Sequence, residues 1–132
     1  MPDEALIAAA RAARENAYAP YSHVKIGAAI LAEDGRIHAG ANVENASYPE
    51  GLCAEAAAIA AMVAAGARRI LAIAVVSEGA QPAPPCGGCR QRIAEFAAPD
   101  TPIELATISG ATRRVTLGEL LPLAFGAPHL RP

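Results

Sequence analysis

Tryptophan is absent from this sequence, and two phenylalanines with three tyrosines bring the aromatic share to only 4% of 132 residues. A series of aromatic platforms for stacking the bases of a nucleic-acid strand is therefore missing. Positive charge is not in excess either. Eleven basic and 13 acidic residues leave a net charge of -2, which supplies no field for gathering DNA or RNA. No apolar run approaches the roughly 20 residues that cross a bilayer, because Arg11, Glu15, Glu55 and Gly66 interrupt the alanine-rich stretches. The N-terminus has no basic start, apolar run and cleavage site of a secretory signal; Asp3-Glu4 stands there instead. These absences predict a cytoplasmic protein whose partner is a free small molecule, with no nucleic acid and no membrane. Cysteine is scarce too. Three thiols, an odd number in a reducing compartment, argue against a disulfide framework and for metal binding or catalysis.

The chain is otherwise rich in apolar residues, with 53% hydrophobic and 18% charged, as expected for a single folded domain over residues 1–132. Asp3 is placed to cap a first helix running to about Tyr18, with Leu6, Ile7, Ala10, Ala13 and Ala17 at helical spacing. Pro20 stops it. Strands are predicted from Lys25 to Leu31 and from Ile37 to Val43, joined by an Asp34-Gly35 hairpin turn. A helix is predicted from about Leu52 to Ala65, closed by Gly66. The β-branched run Ile70 to Val76 suits a central strand covered on both faces. Pro82, Pro84 and Pro85 then forbid regular structure until Cys86 opens another helix ending before Pro99. Ile103 to Ile108 reads as a strand and Val115 lies on a short return strand. Thr116 and Glu119 form a capping box for a last turn. This order predicts an α/β fold: a three-layer α-β-α sandwich with a mixed sheet of about five strands.

All three cysteines lie in two segments, Gly51-Leu52-Cys53-Ala54-Glu55 and Pro85-Cys86-Gly87-Gly88-Cys89. Each follows a strand and opens a helix, so adjacent strands would bring the two helix starts together. Helix starts favour the deprotonated sulfur that a metal needs. Three thiolates suit zinc and leave a fourth position open, as catalytic zinc requires and structural zinc does not. Glu55, in the first helical turn, reaches the same space without sharing the ligands' direction and reads as a proton carrier. Asn42, Glu44 and Asn45 crowd the end of the second strand, where ligand contact is expected.

Cys53-Ala54-Glu55 followed by Pro85-Cys86-x-x-Cys89 resembles the zinc deaminase signature. The resemblance is to the cytidine deaminases of small homotetrameric type. It extends through Tyr18 to Ser22, Asn42 to Ala46, Tyr48-Pro49, Cys86 to Gln91, and Leu120 to Pro122 with Phe125. It implies one Zn²⁺ per subunit on Cys53, Cys86 and Cys89, with Glu55 carrying protons from water to the pyrimidine ring nitrogen and then to the departing amine. By the same resemblance Asn42 and Glu44 bind the ribose 3′-hydroxyl, a backbone N–H near Ala54 meets the base carbonyl, and Phe125 reaches a neighbouring subunit's pocket. Cytidine and 2′-deoxycytidine would become uridine and 2′-deoxyuridine, in pyrimidine salvage, at sites shared within a homotetramer.

Two positions depart from that pattern. Ala56 stands where three-cysteine relatives commonly carry an arginine that hydrogen-bonds the thiolates, which makes Arg90 or Arg92 a candidate to offset the sulfurs' charge. Val24 stands where relatives place phenylalanine against the pyrimidine, predicting a roomier pocket. The competing possibilities are deamination of a substituted cytidine or another aminated heterocycle, a non-catalytic zinc module, and a thiol redox protein built on Cys86 and Cys89. Residue by residue, Glu44 competes with a solvated loop acid and Phe125 with a core or interface anchor. His23, His38 and His129 are expected to be surface or structural, Tyr21 and Tyr48 to pack near the pocket, and Arg68-Arg69 and Arg113-Arg114 to be solvated pairs flanking strands or to line a subunit interface.

Overall fold

The computed structural model describes residues 2–130, with side chains from residue 4 onward. Five strands, β1 (Gly27–Ala32), β2 (Ile37–Ala41), β3 (Ile70–Ser77), β4 (Pro102–Thr107) and β5 (Thr112–Thr116), form one sheet in the order β2-β1-β3-β4-β5. β3 and β4 are parallel and the other neighbours are antiparallel. Helix α1 (Pro2–Arg14) covers one face; α2 (Ala54–Ala64) and α3 (Gly87–Ala94) cover the other, with the short α4 (Leu117–Leu120) at their end. This is the three-layer α/β sandwich with a mixed sheet that the element order predicts.

The two faces sort by alternation, because successive side chains on a strand point oppositely. Ile30, Ile73 and Val75 join Ala58, Ile59 and Met62 of α2, Ile93 of α3 and Ile103 in the larger core. Ala29, Ala74, Val76 and Ala106 meet Leu6 and Ala10 of α1 on the other side. β3 occupies the middle of the sheet and from Ile73 to Ser77 is buried on both faces, as its apolar run predicts, while Leu71 near its start is exposed. The alanines have a consequence for distance: helices seated on small side chains approach the sheet closely. At Gly40 the approach is so close that a Cβ would lie 2.5 Å from the Ala58 nitrogen, which fixes α2, and hence the residues opening it, against β2.

Several boundaries differ from the sequence expectations, and the reasons meet at one place. α1 ends at Arg14 instead of Tyr18, since Glu15, Asn16 and Ala17 turn through shorter i→i−3 hydrogen bonds and Tyr18 N–H donates to the Asn42 carbonyl. β2 ends at Ala41 because Val43 exchanges hydrogen bonds with Leu52, 2.9 and 2.8 Å, while bridging Tyr18 on its other side. β1 starts at Gly27 because Ile26 N–H is taken by the Asn42 side chain. The hairpin has three linking residues, Glu33 to Gly35, between the hydrogen-bonded Ala32 and Arg36, with Gly35 at φ 77°; the predicted two-residue turn is one residue short. α2 begins at Ala54 with Cys53 as N-cap, and α3 at Gly87 with Cys86 as N-cap. α2 closes as expected: Gly66 N–H bonds Val63 O and Ala67 N–H bonds Met62 O, a Schellman ending. The Thr116–Glu119 capping box is present. The capping role expected of Asp3 falls on a side chain outside the described residues.

Candidate active site

Sheet register explains why two segments far apart in sequence meet. Gly27 pairs with Ala41 on one side and Val76 on the other, so the ends of β2 and β3 lie in one row across the sheet. Both strands run the same way, each antiparallel to β1, and the helices that follow them start at the same edge. Carboxyl ends of such strands are where α/β folds bind ligands. Cys53, Cys86 and Cys89 arrive there with their Sγ atoms within 4.8 Å of one another. None is in a disulfide. Tetrahedral zinc at Zn–S of about 2.3 Å would set its sulfurs about 3.8 Å apart, so the cluster fits zinc with little rearrangement and leaves a fourth position open.

The three thiols are electrostatically unequal. Cys89 is fully buried, and burial pushes its pKa far up, with the Glu55 and Cys53 charges adding in the same direction. Burial also raises Cys53. Cys86 is exposed, and the Cys89 backbone N–H, facing it across the first turn of α3, lowers it. No side chain caps α2 or α3, so their leading N–H groups remain turned toward this edge, where they favour negative charge.

Glu55 lies in the first turn of α2 and is only 6% exposed. Burial raises its pKa above the usual carboxylate range; its own backbone N–H and the Arg92 charge act the other way. A carboxyl poised in that direction is suited to taking up and releasing protons. Glu55 and Ala54 line a cavity of about 430 Å³ with Cys53, Cys86, Asn42 and Glu44. Its volume falls in the range of small-molecule sites. A second hollow of about 360 Å³ adjoins it through Glu44, Tyr48 and Gly51.

Asn42 and Glu44 do more than face this cavity. Asn42 Oδ1 accepts from Ile26 N–H at 2.8 Å, and its Nδ2 donates to the Val24 carbonyl at 2.7 Å. Glu44 Oε1 accepts from the N–H groups of Tyr21 and Ser22, at 2.9 and 3.1 Å, while Oε2 accepts from the Ser22 hydroxyl. These bonds hold the segment from Tyr21 to Ile26 as one wall. The Ser22 hydroxyl, and secondarily the two N–H groups, keep the Glu44 carboxyl below its usual pKa.

Val24 and Phe125 are not among the residues lining either hollow. Val24 is 53% exposed and contributes its backbone to the wall. Phe125 is exposed on the C-terminal segment, stacked on His129, with its carbonyl held by Gln91 Nε2 at 3.0 Å. Ile26, Val75, Ala83 and Pro84 line the cavity without having been singled out in the sequence; nothing about isolated apolar residues distinguishes lining from core. Tyr21 and Tyr48 pack edge to face against each other at the smaller hollow, with both rings also exposed. His38 is structural, buried against Asp34. Arg114 pairs with the buried carboxylate of Glu104 at 3.0 Å, and Arg68 donates to the Val63 and Ala67 carbonyls at the end of α2, so neither is simply solvated.

Residues 1–105 match the family model described as the cytidine and deoxycytidylate deaminase zinc-binding region. A cytidine deaminase of Halalkalibacterium halodurans is 46% identical over 130 residues, covering 98% of both chains. Among solved structures, a cytidine deaminase from Burkholderia pseudomallei superposes with a TM-score of 0.90 at 49% identity, covering 95% of this chain and 100% of its own. One from Mycobacterium tuberculosis superposes at 0.84 with 40% identity, covering 96% and 99%. Matching the family model over most of its length, with these relatives aligned nearly end to end, the chain belongs to the cytidine and deoxycytidylate deaminase family.

Proposed function

We propose that this protein is a zinc-dependent hydrolase that converts cytidine and 2′-deoxycytidine to uridine and 2′-deoxyuridine with release of ammonia. The observation that carries this function is a buried carboxyl group, Glu55, lining a nucleoside-sized cavity together with Cys53 and Cys86, whose sulfurs lie with that of Cys89 within 4.8 Å of one another. Family membership supports it; a redox dithiol or purely structural metal knuckle has no use for Glu55.

Cys53, Cys86 and Cys89 would hold the zinc, which supplies a Lewis acid that makes water acidic enough to attack near neutral pH. Glu55 accepts the proton of the attacking water and delivers it to N3 of the pyrimidine. It then takes the remaining proton from the hydroxyl added to the ring carbon and passes it to the exocyclic nitrogen. The carbon–nitrogen bond breaks, ammonia leaves and the oxygen stays as the carbonyl, so one water is consumed for each amine released. The Ala54 backbone N–H, at the start of α2, orients the base through its carbonyl. Asn42 and Glu44 serve the ribose 3′-hydroxyl with what the wall leaves free. One Nδ2 hydrogen of Asn42 and one carboxylate lone-pair direction of Glu44 are uncommitted by the bonds described.

The whole chain, 1–132, acts as one catalytic domain, in the cytoplasm and in pyrimidine salvage. It works as a homotetramer whose subunits complete one another's sites, with Phe125 reaching a neighbour's pocket. Supporting self-association, Tyr48, Leu123, Phe125 and Leu130 are exposed at 77%, 105%, 56% and 75%, unusually high for side chains of this size. Sedimentation would report a tetramer; a monomer with full activity would refute shared sites. No helix among the described residues is long and apolar enough to cross a membrane.

Following ultraviolet absorbance with cytidine, 2′-deoxycytidine and N4-substituted cytidines tests reaction and substrate class together. The unsubstituted nucleosides should be consumed fastest. Flat traces with all of them would refute the function.

A further inference from the structure

We propose that Arg92 is the counter-charge of the metal centre: its guanidinium, reaching back along α3 to the Cys89 sulfur, stabilises the thiolate cluster and so retains zinc. This rests on the zinc-dependent function proposed above. Arg92 Nη1 donates to Cys89 Sγ at 3.5 Å, within the longer range of hydrogen bonds to sulfur. The two residues are three apart on a helix and therefore share a face. The path is open because position 88, one further residue back, is glycine: a Cβ there would already stand 3.3 Å from Arg92 Nη1.

Arg90, the other basic residue beside Cys89, faces elsewhere. Its Nε donates to the Pro85 carbonyl at 2.8 Å and Nη1 to the Leu120 carbonyl at 2.9 Å, tying the proline loop to the C-terminal segment. At position 56, three residues after Cys53 on α2, the chain has alanine and no charge. The cationic contribution to the sulfurs thus comes from α3.

Charge balance says what that contribution does. Zinc binding to three neutral thiols releases three protons and converts an uncharged cluster into one of net charge minus one. A fixed positive charge at one sulfur favours the loaded state over the empty one. It also withdraws electron density from the ligand, leaving the metal a stronger Lewis acid. Arg92 is a positioning residue that acts on the metal through Cys89; its charge also bears on Glu55, so metal retention and the cobalt band, not kcat, decide its role at the sulfurs.

Arg92→Met and Arg92→Lys, each loaded with zinc or cobalt, test this. The Arg92 side chain is exposed, so both variants should fold, as circular dichroism would check. Arg92→Met should lose zinc to a competing chelator about ten-fold more readily than the wild type, the scale of lost outer-shell partners. Its thiolate-to-cobalt absorption should move to lower energy, and kcat should fall with KM little changed. Arg92→Lys should recover most of the zinc retention. Wild-type retention and an unmoved cobalt band in Arg92→Met would overturn the proposal, as would an Arg92→Lys variant no better than Arg92→Met. Retention and cobalt spectra are read without turnover. An inactive wild type would therefore refute the function and leave these comparisons to decide on Arg92.

Discussion

The cavity has two walls built by different physics. On the thiol side, Cys53, Glu55, Cys86 and Cys89 are set by the starts of two helices that pack on a sheet through a buried apolar core. On the other side, the Tyr21–Ile26 segment is held by hydrogen bonds between its backbone groups and two side chains, Asn42 and Glu44, all of them exposed or half-buried. The first wall draws its rigidity from packing, where each fully buried side chain such as Met62, Ile73 or Ile103 contributes about 1.5–3 kcal/mol. The second depends on a handful of polar contacts worth about 0.5–1.5 kcal/mol each. The difference teaches where each kind of damage should appear: chemistry and metal on the first side, substrate binding and loop order on the second.

The largest effect should come from Cys89→Ala. It removes a buried ligand, so zinc and activity should be lost together, with metal content by emission spectroscopy near zero. Glu55→Gln follows, and it separates chemistry from metal on the same wall. Turnover should drop by about 10²- to 10⁴-fold, the usual contribution of a positioned acid–base group, while zinc stays stoichiometric. Loss of zinc in that variant would assign Glu55 a ligand role and break the division proposed for this wall.

Effects on the opposite wall should be smaller and differ in kind. Asn42→Ala leaves the Ile26 N–H and the Val24 carbonyl without their partner, a cost of about 1–3 kcal/mol for each group kept from water. KM should rise far more than kcat falls, and amide exchange should quicken from Val24 to Ile26. A kcat defect with KM intact would show that this wall orders the chemistry after all. The smallest effect concerns pH. Because Glu44 is held below its ordinary pKa, chiefly by the Ser22 hydroxyl, its contribution is fully present above the ordinary carboxylate value. It is lost as pH falls through the depressed one. Nucleoside affinity measured across that acidic window should fall in the wild type; Glu44→Gln, lacking the ionisation, should show a flat profile there.

How much of this was legible in the sequence follows the same division. Cys53, Glu55, Cys86 and Cys89 could be gathered from spacing alone, because a cysteine that opens a helix after a strand has few places to go. The central position of the strand followed from the unbroken apolar run Ile70 to Val76. The polar wall was legible as a cluster but not as a device. Asn42 and Glu44 were recognisable as polar residues at a strand end, yet their hold on Val24, Ile26, Tyr21 and Ser22 spans 16 to 23 residues of sequence and leaves no periodic trace. The Asn42 side chain's hold on Ile26 is also why β1 is shorter than propensity alone predicts, while β2 ends where Val43 pairs with Leu52 and α1 where Tyr18 N–H turns to the Asn42 carbonyl. The sequence made both Arg90 and Arg92 candidates for the counter-charge. Only their different partners, two carbonyls for one and a thiol sulfur for the other, separate them.

The most direct test of zinc-dependent deamination is the stoichiometry of ammonia and uridine released from cytidine, measured before chelation, after it, and after zinc is restored. Equal amounts of both products are expected from the loaded protein, none from the stripped protein, and recovery on adding zinc. Undiminished release after complete removal of the metal, or no ammonia from fully loaded protein, would contradict it.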